Sequence, residues 1–273
     1  MKYKHLIVQN HKIAVYESNP DGDPVLFVHG NSLSAESFKY QLESEPGKKY
    51  RLIAFDLPGH GKSDKANDPK KIYSIEGFIG FMLELVDILK IGNAVFVGHS
   101  MGGHMIIDAM ERFPNASGFV IFGAPPVQKP EHPMERSHFP NPAFMLAFTG
   151  KLDPEQLETL SAAYVAEKAV VPELIKTSLQ QVDPLMRGTF GANAGVTTFP
   201  DEADIIRNMK RPLAVFHGEG DQMIRGTYFD ELAIPTLWRN KLQMIKNSGH
   251  CPQTENPEEF NHLPGEFLRD IFN

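Results

Sequence analysis

A single cysteine, Cys251, stands among 273 residues. No intramolecular disulfide can form, so a reducing compartment, the cytoplasm, is the expected setting. No apolar run is long enough to span a bilayer. No block of Lys and Arg occurs, and a net charge of −7, from 34 acidic and 27 basic residues, gives no electrostatic basis for binding nucleic acid or an anionic membrane. Metal signatures are missing as well. The 11 histidines form no H-x-H, H-E-x-x-H or Asp-His pair, so no metal is expected, and His29, His60 and His217 read as structural polar groups. There is no internal repeat and no low-complexity tract. Nor does a continuous apolar core of the signal-peptide kind open the chain: "MKYKHLIVQNHKIAVYES" alternates apolar and polar residues around Gln9-Asn10-His11, as a β-hairpin does.

What is present is a recurring β-rich run followed by a glycine-containing loop and then a helical pattern. The runs are "PVLFVHG", "RLIAFDLPG", "AVFVGHS", "GFVIFGAPP", "PLAVFHGEG" and "LQMIKNSGH". This alternation predicts an α/β fold, a mostly parallel central sheet with helices on both faces, whose functional groups collect at the carboxyl ends of the strands. After the sixth strand the pattern breaks. The expected organisation is a core over residues 1–127, a helical cap over 128–208 and a return to the core over 209–273. In the cap, Asp153, Pro154 and Gln156 form a helix start of the capping-box kind, and a second helix is expected from Pro172 to Val182. Phe139, Phe144, Met145, Leu146, Phe148, Met186, Phe190 and Phe199 are candidates to line a pocket from above, or simply to pack the cap onto the sheet.

"AVFVGHSMGGHMIIDAM" places Ser100 between two glycines where a strand, Ala94 to Val97, gives way to a helix, Gly103 to Arg112. A hydroxyl is a poor nucleophile at neutral pH; it needs exposure, a base and donors for the oxyanion. Gly98-His99-Ser100-Met101-Gly102 fits G-x-S-x-G, in which small flanking residues allow a crowded turn that lifts the serine above the sheet. A plain tight turn is the alternative. The acid and base would follow in the order Ser, Asp, His, and Asp221 and His250 each come just after a late strand. Glu219, Asp230 and Glu231 are competing acids, with Asp221 favoured because it ends the Gly-Glu-Gly-Asp loop. For the oxyanion, the backbone N–H groups of Met101 and of Asn31, after "PVLFVHG", are the candidates. The Asn31 side chain could touch substrate or only shape its turn.

With "HGNS", "DLPGHGKSD", "GHSMGGH", "HGEGD" and "SGHCPQTENPEEF" in their expected places, the chain resembles the α/β-hydrolase fold family over essentially its whole length. Within it, "HGNS", "QLESEPGKKYRLIAFDLPGHGKSD", "YSIEGF", "S-M-GGH" and "G-A-PPV" are similar to the metal-independent N-acyl homoserine lactonases of that fold. The resemblance implies Ser100 as nucleophile, His250 as base, Asp221 as acid, Asn31 beside the lactone, and Tyr164 as a substrate contact, a core tyrosine being the other reading. It implies a small-molecule ester or lactone substrate and no cofactor.

The leading expectation is a serine esterase or lactonase that opens N-acyl homoserine lactones and so quenches quorum sensing. General carboxylesterases, carbon–carbon bond hydrolases and perhydrolases share such a triad. A ligand receptor that retains the triad is an alternative of a different class.

Overall fold

The computed structural model describes residues 2–129, 134–196 and 200–272. Eight strands build one sheet: β1 (Tyr3–Val8), β2 (His11–Glu17), β3 (Pro24–Val28), β4 (Arg51–Phe55), β5 (Val95–His99), β6 (Gly118–Phe122), β7 (Leu213–Gly218) and β8 (Gln243–Ile245). Their order across the sheet is β1-β2-β4-β3-β5-β6-β7-β8. β1 and β2 form the expected hairpin, paired from Tyr3 opposite Tyr16 to Val8 opposite His11. Its two-residue turn needs positive φ at both positions, which Gln9 (47°) and Asn10 (60°) supply. β2 meets β4 antiparallel, and every later pairing is parallel.

The parallel strands are continuously apolar because both of their faces are covered. Alternate residues divide between two cores. Leu26, Val28, Phe96, Phe119, Ile121, Leu213 and Val215 enter one; Val25, Phe27, Val95, Val97, Val120, Phe122, Ala214 and Phe216 enter the other. A period of two is what sends successive side chains to opposite faces.

The longer helices are α1 (Ile75–Leu89), α2 (Met101–Ala109), α3 (Pro154–Ala163), α4 (Glu173–Gln181), α5 (Met186–Val196), α6 (Glu202–Asn208) and α7 (Pro257–Phe272). Local chemistry sets their limits. Ser74 accepts from Gly77 N–H to open α1, and Lys90 closes it in the left-handed region at φ 55°. At α3 the expected capping box forms in both directions between Asp153 and Gln156. The expected second helix of this region is α4, with Pro172 and Val182 as its flanking residues. α2 starts two residues earlier than its apolar pattern implied and passes into a 3₁₀ turn over Met110–Arg112. Phe113, which precedes Pro114, is barred from continuing the helix.

α3, α4, α5 and α6 all lie in the stretch between β6 and β7. Of the apolar residues expected to line a pocket there, Phe144, Phe148 and Phe190 do so. Met186 is buried in the core and Leu146 packs against it. Phe139 and Met145 face outward, 40% and 63% exposed. The Phe139 ring instead carries the Arg225 guanidinium at 4.3 Å, a stacking that leaves one ring face apolar and the other occupied. Phe199 lies outside the described residues.

Packing is close where β3, β5 and α2 meet. A Cβ on Gly102 would lie 2.3 Å from the Val28 carbonyl oxygen, and one on Gly98 would lie 2.5 Å from the Gly102 carbonyl oxygen. Gly102→Ala is therefore expected to destabilise the fold by about 1–3 kcal/mol, as overpacking does. Denaturant unfolding measures this; an unchanged midpoint would show that the junction has slack.

Candidate active site

Five neighbouring parallel strands deliver the candidate groups at their carboxyl ends: Asn31 after β3, Ser100 after β5, Gly123 after β6, Asp221 after β7 and His250 after β8. The sheet order brings together residues that are far apart in the chain.

Ser100 sits at φ 51°, ψ −118°, a conformation that a non-glycine residue adopts only when its surroundings enforce it. The enforcement is visible. Ser100 N–H donates to the Phe122 carbonyl at 2.8 Å, while the N–H groups of Gly103 and His104 both reach the Ser100 carbonyl, at 2.8 and 3.1 Å. The serine is thus held between β6 and the first turn of α2.

His250 Nδ1 donates to Asp221 Oδ2 at 2.9 Å, and both side chains are buried. The other carboxylate oxygen of Asp221 accepts from the N–H groups of Met223 and Ile224, at 2.8 and 3.0 Å. Burial alone would raise this carboxyl, but the charge and hydrogen bond of His250, with help from His217 and the Ile224 N–H, outweigh it and hold the group below its ordinary value. Glu219, Asp230 and Glu231 are all exposed and make no such contact. Gly123, at φ 62°, lets the imidazole lie against the backbone, since a Cβ there would meet His250 Cε1 at 2.8 Å. Below, His99 Nε2 donates to the His250 carbonyl at 2.8 Å. Burial, reinforced by His250, keeps His99 neutral by lowering it well below the usual histidine range.

Asn31, Met101 and Tyr164 complete the group. Neither the Asn31 nor the Met101 N–H is taken by another backbone carbonyl among the described residues. The Asn31 side chain is fixed at both ends: Nδ2 donates to the Ala147 carbonyl and Oδ1 accepts from Ser32 Oγ, each at 2.8 Å. Tyr164 is buried. Its hydroxyl donates to the Asn31 carbonyl at 3.0 Å, its ring stands 5.7 Å from His250, and its own carbonyl accepts from Cys251 N–H at 2.9 Å. One tyrosine therefore ties the loop after β3 to the loop after β8.

These residues border a cavity of about 260 Å³ whose lining includes Asn31, Ser100, Met101, Tyr164 and His250, with an apolar remainder from Phe144, Phe148 and Phe190 among others. With Nδ1 committed to Asp221, Nε2 is the His250 nitrogen left to act. His29, His60 and His217 are buried and are not among the residues lining this cavity: His29 Nε2 accepts from Leu57 N–H at 3.1 Å and His60 Nδ1 donates to the Pro58 carbonyl at 3.0 Å. Among the described residues no three His, Cys, Asp or Glu side chains gather as metal ligands, and no helix is long and apolar enough to cross a membrane.

Sequence reasoning missed one polar cluster on this cavity. His104, one helical turn beyond Ser100, lines it, and its Nδ1 donates to both oxygens of Glu202, each at 2.9 Å. Glu202 is fully buried and also accepts from Val127 N–H. Burial opposes a charge on His104, but the Glu202 carboxylate overrides it and raises the imidazole above its ordinary value. Asp108, one turn further on, is pushed up to about 9 by burial and by the charge and hydrogen bond of Glu202. The spacing of positions 100, 104 and 108 along one helix was the available sign. Glu202, 98 residues from His104, was not.

The chain belongs to the alpha/beta hydrolase family, whose pattern it matches over residues 25–263. It is 34% identical to the N-acyl homoserine lactonase AidH in a structure complexed with N-butanoyl homoserine, with a TM-score of 0.92, over 100% of this chain and 98% of that one. A mutant of AidH complexed with N-hexanoyl homoserine lactone superimposes with a TM-score of 0.91, at 33% identity over 100% and 99% of the two chains. More distant relatives share the length. The AB hydrolase superfamily protein YisY of Bacillus subtilis is 26% identical over 96% of this chain and 98% of its own. The 2-hydroxy-6-oxononadienedioate/2-hydroxy-6-oxononatrienedioate hydrolase of Burkholderia vietnamiensis is 24% identical over 98% and 95%.

The raised Asp108 has a measurable consequence. Folded, it keeps its proton up to about pH 9, whereas the unfolded chain loses it near 3.8. The native state therefore holds one proton more across that window, and stability falls as pH rises through it. Asp108→Asn is expected to lose less thermal stability than the natural protein between pH 5 and pH 9. Parallel melting curves for the two proteins would contradict the assignment.

Proposed function

We propose that the chain is a serine hydrolase that opens the ring of N-acyl homoserine lactones, a quorum-quenching activity, with Ser100 as nucleophile, His250 as base and Asp221 as the orienting acid. One observation carries this reading: the His250–Asp221 hydrogen bond stands on the same cavity as a strained Ser100. The lactone is supported by the likeness to AidH across the whole chain.

The His250 Nε2 takes the Ser100 proton as Oγ adds to the lactone carbonyl carbon. Negative charge then gathers on the carbonyl oxygen, where the N–H groups of Asn31 and Met101 receive it. Collapse breaks the ring C–O bond. His250 returns the proton to the departing ring oxygen, which becomes the hydroxyl of homoserine and remains part of the same molecule, and Ser100 holds the acyl group as an ester. A water, deprotonated by the same imidazole, adds to that ester, and its breakdown frees the acid and restores the serine. Asp221 fixes the Nδ1–H tautomer and balances the imidazolium at each stage. We place residues 128–208 as a cap that supplies the acyl-chain walls, and the protein in the cytoplasm, where a single buried thiol stays reduced.

Ser100→Ala is expected to lower kcat by at least about 10³-fold, and Asp221→Asn by about 10⁴-fold, with Glu219→Gln close to the natural protein. Turnover assays on folded variants measure this; full activity in the Ser100 variant removes the mechanism. Mass spectrometry of the product tests the substrate. Ring opening adds one water to an intact molecule that acid recloses, whereas a fatty acid with free homoserine lactone identifies an amidase. Hydrolysis confined to acyclic esters identifies a carboxylesterase.

A further inference from the structure

Among the described residues three imidazoles border the cavity: His250, His138 and His104. His250 belongs to the chemistry proposed above, and His138 Nδ1 pairs with Ser137 Oγ at 2.7 Å. His104 is different. Its Nδ1 is spent on Glu202, which leaves Nε2 as the free ring nitrogen, and 23% of its side-chain surface is open even though it lies deep in the protein. It lines the cavity, whose lining also includes the apolar Ile75, Met101, Val127 and Phe190. Glu202, fully buried and held by the Val127 N–H, keeps the imidazole in place.

Paired with both oxygens of the buried Glu202 carboxylate, a protonated His104 carries an N–H at Nε2, and such a donor on a largely apolar pocket makes a demand on whatever fills it. A plain alkyl chain would strip water from that N–H and offer nothing in return, whereas a chain bearing a carbonyl oxygen would satisfy it. A site built to hydrogen-bond its substrate discriminates against the analogue that lacks the partner. His104 lies one helical turn beyond Ser100, so the second oxygen belongs on the chain beyond the attacked carbonyl.

We propose that His104, held by Glu202, is a specificity-determining residue that receives a keto oxygen on the acyl chain, so that oxoacyl substrates are preferred to plain alkyl ones. This rests on the acyl-hydrolase reading of Ser100 but not on the lactone.

The test compares kcat/KM for two pairs in which the keto carbon stands the same number of atoms from the attacked carbonyl: N-(3-oxohexanoyl) against N-hexanoyl homoserine lactone, and phenyl 6-oxononanoate against phenyl nonanoate. Each is measured on the natural protein, on Glu202→Gln, and on His104→Leu combined with Glu202→Gln so that no lone buried carboxylate remains. The natural protein is expected to favour the keto member of a hydrolysed pair by about tenfold, the net size of one hydrogen bond. The ratio should fall in Glu202→Gln and approach one in the double variant. Because it is a ratio, it does not depend on how much of a variant is folded. A natural ratio of one or less overturns the proposal without any variant, and so does a ratio that survives in the double variant. Turnover of the ester pair alone, with the keto preference present, would remove the lactonase reading and leave this subsite standing. Turnover of lactones with no keto preference would do the reverse.

Discussion

The crowding at the turn that holds Ser100 is the constraint on which the rest depends. β3, β5 and α2 approach so closely that only hydrogen fits as the side chain at positions 98 and 102. This contact holds the serine at φ 51°, ψ −118°. It also leaves the Met101 N–H beside the Asn31 loop, because Gly30 packs directly on the serine: a Cβ there would lie 3.1 Å from Ser100 Cβ. Strain at a functional residue persists only when the surrounding structure over-determines it. Here the hydrogen bonds from β6 and from α2 do so.

Around that turn the molecule separates fixed groups from adaptable ones. Asp221 is locked by two backbone N–H groups, His250 by Asp221 and by His99 beneath it, and Asn31 by Ser32, Ala147 and Tyr164. These hydrogen bonds are made by buried side chains, where each is stronger than in water. The walls supplied by Phe144, Phe148 and Phe190 are held by ring packing alone, Phe148 and Phe190 stacking at 6.0 Å. Loops at strand ends thereby hold the polar groups, and apolar packing bounds the cavity.

Much of this was legible in the chain because it rests on local rules. The strands showed as apolar runs ending in glycine, the α3 start as a capping box, and Ser100, Asp221 and His250 as residues just past strand ends. Asp221 could be preferred to Glu219 because its loop position turns inward, and the structure leaves Glu219 exposed. The sequence was least informative where partners are distant or segments short. Phe139 and Met145 belong to stretches too brief to carry a helical period, so their outward facing had no signature. The His104–Glu202 pair joins α2 to α6 across 98 residues, and no periodicity encodes such a meeting. Tyr164 could be read as a substrate contact or, more safely, as a core residue; it is buried, and its hydroxyl donates to the Asn31 carbonyl.

The central claim is that Ser100 becomes covalently acylated with His250 as its base. Mass spectrometry after exposure to a fluorophosphonate addresses this directly, because the reagent forms a stable bond only with an activated serine. The account predicts one adduct, mapped to the peptide that carries Ser100, and little labelling in His250→Ala. An unmodified protein, a label on another residue, or equal labelling without His250 would contradict it.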